Sequence, residues 1–340
     1  MQAELYLGID ISSETFNVCL TDTEGKPLNE TASRVFANTG AGYTELLSFL
    51  RDNRAEHATS HAVMEATGVY WEALALFLSE QTMMISVVNP LQIKRFAQTL
   101  LQRNKTDSLD ATLIARFGAT MKPKLWQPPQ VAAEELQIIM HQRDAYVGMC
   151  TQERNRLHAL KRRPRCPKNI LAMSQQMIDT VKTSIADLDA DIKERLQQTP
   201  EWRQAYELIT SVVGVGIVTA GIILAETQCF NDIQSPEQFV AFAGLAPVLF
   251  ASGTSVRRSP HISPLCCHRL RSALYLAAVS AIRSDKAPFR AFYQKLRSNG
   301  KPPKVALIAV ARKIARIIAA VMRTQIPFQN NYVRPMQQTP

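Results

Sequence analysis

Leu5-Tyr6-Leu7-Gly8-Ile9-Asp10-Ile11 is the stretch on which the fold turns. Leu5, Leu7 and Ile9 alternate with their neighbours, the two-residue period of a β-strand, and the strand runs into an aspartate. Working outward, Phe16–Thr21 reads as a second strand, Glu24-Gly25-Lys26-Pro27 as a turn, and Thr31–Ala37 as a third strand. Three strands joined by short turns form an antiparallel meander. Tyr43, Leu46, Leu47 and Leu50 then fall at helical spacing over Gly42–Arg51. A short strand is expected at His61–Glu65, a helix at Tyr70–Glu80, and an apolar strand at Met84–Val88 stopped by Asn89-Pro90. Helices are expected at Leu91–Leu101 and Ser108–Thr120. A meander followed by β-α-β-α units predicts a mixed sheet with helices on its faces over residues 1–121.

Beyond it, Lys122–Gln130 holds Pro123, Pro128 and Pro129 without periodicity and reads as a linker. Two long helical stretches follow, Val131–Arg163 and Lys168–Gln198, split by Pro164-Arg165-Cys166-Pro167. In the second, Leu171, Ile178, Val181, Ile185, Leu188 and Ile192 make an a/d seam. Such a seam needs a partner, either the preceding helix or another chain. The expected organisation is therefore a coiled-coil segment over 122–200, a mainly helical domain over 201–328 and a tail at 329–340. In the helical domain, short or long helices are expected at Pro236–Phe242, Arg269–Arg283 and Pro303–Met322, with loop or short strand at Pro247–Ser263.

Composition narrows the class. The 340 residues are 46% apolar and 20% charged, ordinary for a globular chain and unlike a disordered or collagenous one. Net charge is +10, but unevenly placed: from Arg257 to the end the net is +15, and the first 256 residues carry −5. A basic C-terminal part points to a polyanion partner. The basic junction from Arg154 to Lys168 reads equally as a solvated face or a nucleic-acid contact. The N-terminus lacks the pattern of a signal peptide, and Arg312, Lys313 and Arg316 interrupt the long apolar stretch Val305–Met322, so no membrane association is expected. The six cysteines form no CxxC, which argues against a zinc finger or disulfide framework and for a cytoplasmic protein.

Four carboxylates stand out. Asp10 ends the first strand, Glu65 ends another, and Asp107 and Asp110 lie three apart at an expected helix start. If the two strands sit in the sheet core with level ends, Asp10 and Glu65 share a crevice that the helix can bring Asp107 and Asp110 alongside. Hard oxygen donors suit Mg²⁺ or Mn²⁺, and paired ions about 3.5–4 Å apart serve in-line phosphoryl transfer. The plainer reading of Asp107 and Asp110 is a helix N-cap with an acidic third residue. Gly214-Val215-Gly216, between apolar helical turns, reads as a helix-hairpin-helix clamp on a DNA backbone or as a packing turn between core helices. Ser252-Gly253-Thr254-Ser255, followed by Arg257 and Arg258, reads as a nucleophile beside phosphate-holding cations or as a solvated turn.

Taken together, these motifs resemble the DEDD-type insertion-sequence transposases of the IS110 family and its IS1111-like subgroup. The resemblance runs over Gly8-Ile9-Asp10-Ile11-Ser12, Glu65-Ala66-Thr67-Gly68-Val69-Tyr70, Val88-Asn89-Pro90, Arg103 to Ala111, Gly214 to Gly216, Phe239 to Pro247 and Ser252 to Ser255. It implies an RNase H-like, RuvC-type N-terminal domain with Asp10, Glu65, Asp107 and Asp110 as a Mg²⁺ (or Mn²⁺) tetrad, a coiled coil joining subunits, and a C-terminal transposase domain with Ser252 as nucleophile. Lys105, Gly214, Gly216, Arg257 and Arg258 are the nucleic-acid contacts expected on this reading. The implied activity is recombination of donor and target DNA by a dimer or tetramer in the bacterial cytoplasm and nucleoid, guided by a structured noncoding (bridge) RNA and passing through a 5′-phosphoserine. Many relatives carry Ser-Lys-x-Gly where this chain has Ser263-Pro264-Leu265-Cys266, so a lysine is missing there. Two other readings compete: a RuvC-like nuclease or Holliday-junction resolvase using activated water, and a non-catalytic nucleic-acid-binding protein.

Overall fold

The computed structural model describes residues 3–29, 31–100, 107–231, 233–252, 256–284 and 288–330. The chain divides into two compact units, Met1–Pro128 and Pro129–Pro340.

The first unit is built on β1 (Leu5–Ile11), β2 (Thr15–Thr21), β3 (Ser33–Ala37), β4 (Ser60–Glu65) and β5 (Met84–Val88), in the order β3-β2-β1-β4-β5. β1, β2 and β3 pair antiparallel as the expected meander, while β1–β4 and β4–β5 are parallel. Its helices are α1 (Gly40–Asp52), α2 (Glu72–Glu80), α3 (Pro90–Thr99) and α4 (Asp107–Met121). Leu7, Ile9 and Ile11 face one side, packed on Leu46, Phe49 and Leu50 of α1 and Leu74 and Leu78 of α2. Tyr6 and Val63 face the other, against Ile93 of α3 and Leu113, Ile114 and Phe117 of α4. The central strand is thus buried on both faces, where its alternation alone suggests a half-exposed strand.

Burial on the second face depends on Gly8. A Cβ there would stand 2.0 Å from the carbonyl oxygen of Ala111 and 2.3 Å from the Ala115 nitrogen, so helix backbone lies directly on strand backbone. Further along α4, Gly118 rests on Val63 and Tyr6. The helix therefore runs back along β1, with its first turn towards the carboxyl end of the strand.

The expected linker is partly stitched to the sheet. Ser86 Oγ lies 3.1 and 2.9 Å from the carbonyls of Pro123 and Lys124, the Trp126 amide donates to the Ile85 carbonyl at 2.7 Å, and Trp126 meets Trp71 edge-on. Behind Ser86, His61 Nε2 is 2.8 Å from Ser86 Oγ and buried. With the serine proton on the carbonyls, the imidazole is the donor and is neutral; burial pushes it down to about 4.

The second unit opens with α5 (Val131–Lys161) and α6 (Lys168–Gln198), followed by α7 (Pro200–Thr210), α8 (Ile217–Glu226) and α9 (Pro236–Phe242). A hairpin of β6 (Pro247–Ser252) and β7 (Val256–Ile262) precedes α10 (His268–Ala281), α11 (Phe289–Ser298) and α12 (Pro303–Thr324). The seam on α6 finds its partner inside the chain: Leu171, Ile178, Val181 and Ile185 pack with Tyr146, Cys150 and Leu157 of α5. The pairing is antiparallel, with Arg143 Nε donating to Asp189 Oδ1 at 2.5 Å and Arg195 bonded to Glu135. The base of this helical hairpin, through Leu136, Met140, Ile192 and Leu196, enters the same core as α7 to α12. Residues 122–200 therefore do not stand apart as a unit. Among the described residues no helix is long and apolar enough to cross a membrane.

Two consequences are measurable. Gly8→Ala drives a methyl into helix backbone that cannot yield locally, and should destabilise the first unit by about 3 kcal/mol or more in urea unfolding. The unfolded chain binds a proton at His61 between about pH 6.5 and 4 that the folded chain does not, so stability rises with pH across that window. Up to about 3 kcal/mol should be lost on acidification, read from Trp71 and Trp126 fluorescence, and His61→Gln should flatten that slope.

Candidate functional site

Strand register decides what the carboxylates can do. β1 and β4 pair in parallel through Ile9↔Met64, so Asp10 and Glu65 are neighbours one step further on. Adjacent strands lie about 4.8 Å apart, and side chains two residues apart share a face. Asp10 thus shares the face of Tyr6 and Gly8, and Glu65 that of Val63, which is the α4 side of the sheet. Both are half-buried.

The helix supplies the other pair. Ala111 lies over Gly8. Going back four helical residues covers about 6 Å, and going forward two strand residues covers about 6.6 Å. The backbone of Asp107 is therefore level with Asp10, and Asp110 is half-buried in the same turn. The Asp107 side chain and Lys105 fall outside the described residues. Carboxylates brought together on one face repel one another, which a bound divalent cation would reverse. All four residues are hard oxygen donors, the set that Mg²⁺ or Mn²⁺ accepts. Among the described residues no three His, Cys, Asp or Glu side chains are grouped closely enough to hold a metal ion.

The loops beyond the strands are tied together. Thr67 Oγ1 donates to Glu65 Oε1 at 3.0 Å. Asn38 Nδ2 donates to the carbonyls of Ser12 and Tyr70 at 2.9 and 3.2 Å, while its Oδ1 accepts from Tyr43 Oη at 2.6 Å. One amide thereby joins the segment after the Asp10 strand to the segment after the Glu65 strand. Sequence reading passes over Asn38; its position just beyond a meander strand, ahead of the Thr39 that caps α1, is the available signal.

In the second unit, Ser252 is the last residue of β6, opposite Val256, and Arg257 and Arg258 pair with Ala251 and Phe250 across the ribbon. The segment expected as loop or short strand is thus a β-hairpin with the serine at its tip. The side chains of Ser252, Arg257 and Arg258, and residues 253–255, fall outside the described residues. Gly214 has a packing reason to be glycine: its φ is +93°, and a Cβ would lie 2.5 Å from the Ala277 carbonyl oxygen on α10. Gly216, exposed at the start of α8, has open space around it and no side-chain cap beside it. Of the two glycines, it is the one whose surroundings suit an approaching phosphate. In the run Ser263-Pro264-Leu265-Cys266, Ser263 turns the chain, its Oγ accepting from the Leu265 amide at 3.0 Å.

A five-stranded mixed sheet with carboxylates on adjacent strands, joined in sequence to a helical unit, is consistent with a DEDD-type DNA-processing enzyme, the class that the family matches give. Residues 7–162 match the DEDD transposase family of IS110, and residues 206–294 match the family described as transposase IS116/IS110/IS902. The pilin gene-inverting proteins of Moraxella bovis and Moraxella lacunata are each 32% identical over 326 residues, 96% of this chain and 98% of theirs. The transposase for insertion sequence element IS1111A of Coxiella burnetii is 24% identical over 358 residues, covering 94% and 90%. The chain belongs to the IS110 family of transposases.

If the carboxylates hold a divalent ion, Glu65→Gln should weaken Mn²⁺ binding by roughly tenfold or more in calorimetric titration. Asp179→Asn, a change on exposed α6 surface, should leave binding unaltered.

Proposed function

We propose that the chain is an RNA-guided DNA recombinase of an insertion sequence, cutting and rejoining strands through Ser252, with Asp10, Glu65, Asp107 and Asp110 holding Mg²⁺ or Mn²⁺. The observation that carries the reading is the register of β1 on β4, which sets Asp10 beside Glu65 beneath the acidic first turn of α4. The bound cation would supply charge neutralisation for the phosphate under attack.

The chain's own residues account for the rest. Ser252 Oγ attacks phosphorus, the P–O3′ bond breaks, and the serine proton ends on the departing 3′ oxygen. The product is a 5′-phosphoserine and a free 3′-hydroxyl. Attack by a 3′-hydroxyl on that ester restores a phosphodiester and the serine, so bond number is conserved and no ATP is consumed. Arg257 and Arg258, adjacent in sequence, would steady the phosphorane charge. Gly216, Lys105 and the basic C-terminal part would bind backbone phosphates. One family relative is named for inverting a pilin gene, an outcome that requires cutting and rejoining without loss of DNA. Guidance by a structured noncoding RNA, assembly as a dimer or tetramer, and residence in the bacterial cytoplasm and nucleoid rest on the family resemblance.

In an assay with the chain's own element ends and flanking RNA, Ser252→Ala should abolish the covalent protein–DNA adduct and strand exchange. Asp107→Asn should also abolish the adduct while leaving RNA binding within about twofold. Cleavage that persists in Ser252→Ala would instead favour the water-activated nuclease.

A further inference from the structure

The ribbon that carries Ser252 is a two-stranded sheet of its own. Such a ribbon is marginally stable unless something holds it. Its two feet are Ala243-Gly244, just ahead of β6, and Ser263, just after β7. Both are gripped by one side chain. On α10, Arg271 Nη2 donates to the Gly244 carbonyl at 3.0 Å and also to the Ser263 carbonyl, and its Nε donates to the Ala243 carbonyl at 3.4 Å. A further backbone bond from the Cys267 amide to the Phe242 carbonyl, 3.0 Å, closes the base.

Gly244 is shaped to this grip. Its φ is +62°, and a Cβ would lie 2.0 Å from Arg271 Nη2 and 2.4 Å from Cys266 Cβ. The guanidinium fills the space a side chain would take. An arginine near a helix end such as that of α9 commonly caps carbonyls, but capping does not explain the bond to Ser263, on the far side of the ribbon in sequence.

We propose that Arg271 is the positioning residue of the serine hairpin: by clamping both feet of the ribbon to α10, it fixes where Ser252 stands on the helical core. The catalytic half of this inference rests on Ser252 being the nucleophile; the clamp does not. A planar fork bonds the three carbonyls through two nitrogens held in a fixed, spread geometry, which the compact ammonium of lysine does not reproduce.

The test uses the full chain. Arg271→Ala should speed amide hydrogen exchange over residues 247–262 about tenfold or more, with α12 amides unchanged, and Arg271→Lys should fall between. With the element-end DNA, well below the unfolding temperature, adduct formation should slow about tenfold or more while DNA affinity stays within about twofold. Gly244→Ala should also loosen the ribbon, and its added effect should be smaller in the Arg271→Ala background, where the guanidinium no longer fills that space and only the cost of the positive φ and of Cys266 remains. Unchanged exchange in Arg271→Ala, or full additivity of the pair, would overturn the clamp. A loosened ribbon with an undiminished adduct rate would overturn positioning. An adduct surviving Ser252→Ala would sink the nucleophile assignment while leaving the exchange result to judge the clamp.

Discussion

The contact of α4 backbone on β1 backbone across Gly8 is the constraint on which the first unit depends. Parallel pairing with β4 sets Asp10 beside Glu65, but pairing alone leaves both on an open sheet face. It is the helix, seated without an intervening side chain, that brings an acidic first turn over that face. A bulkier residue at position 8 would lift the helix from that face. The same contact buries the second face of the central strand, so stability and site geometry share one cause.

Much of this was legible in the sequence, for a physical reason: strand and helix periods are local. β1, β2, β4 and β5 lie within a residue or two of the expected stretches, as do α1, α3 and α4. What could not be read was register. Nothing in His61–Glu65 says that it pairs parallel with Leu5–Ile11, or that Met64 lies beside Ile9; the level ends of the two strands were a condition, and the fold meets it. Asn38 and Arg271 escaped because they act on main-chain carbonyls, which carry no sequence signature. Gly214 stands out in the sequence as a backbone clamp or a packing turn, and the structure shows the packing: a Cβ there would meet Ala277 and Ala281 of α10.

The α6 seam shows how far a pattern reaches. A heptad spacing specifies that an apolar stripe must be covered, not by what. Here α5, connected by a short turn, covers it at no cost in association entropy. Its base merges with the helical core, because Leu136, Met140, Ile192 and Leu196 continue both stripes into α7 and α8.

Charge placement gives the two ends of the chain different relations to a polyanion. The chain beyond residue 256 carries +15 and the part before it −5. Cation release from DNA rewards the basic part whatever the sequence bound, and that reward weakens as salt rises. The carboxylate face has the opposite sign: a phosphodiester brought there meets like charge until a divalent ion intervenes. On the proposed reading, binding and chemistry then respond to different ions. Monovalent salt governs how tightly DNA is held, and the divalent cation governs whether a phosphate can enter the acidic crevice at all, so capture of DNA without cleavage is the resting condition that this charge pattern favours.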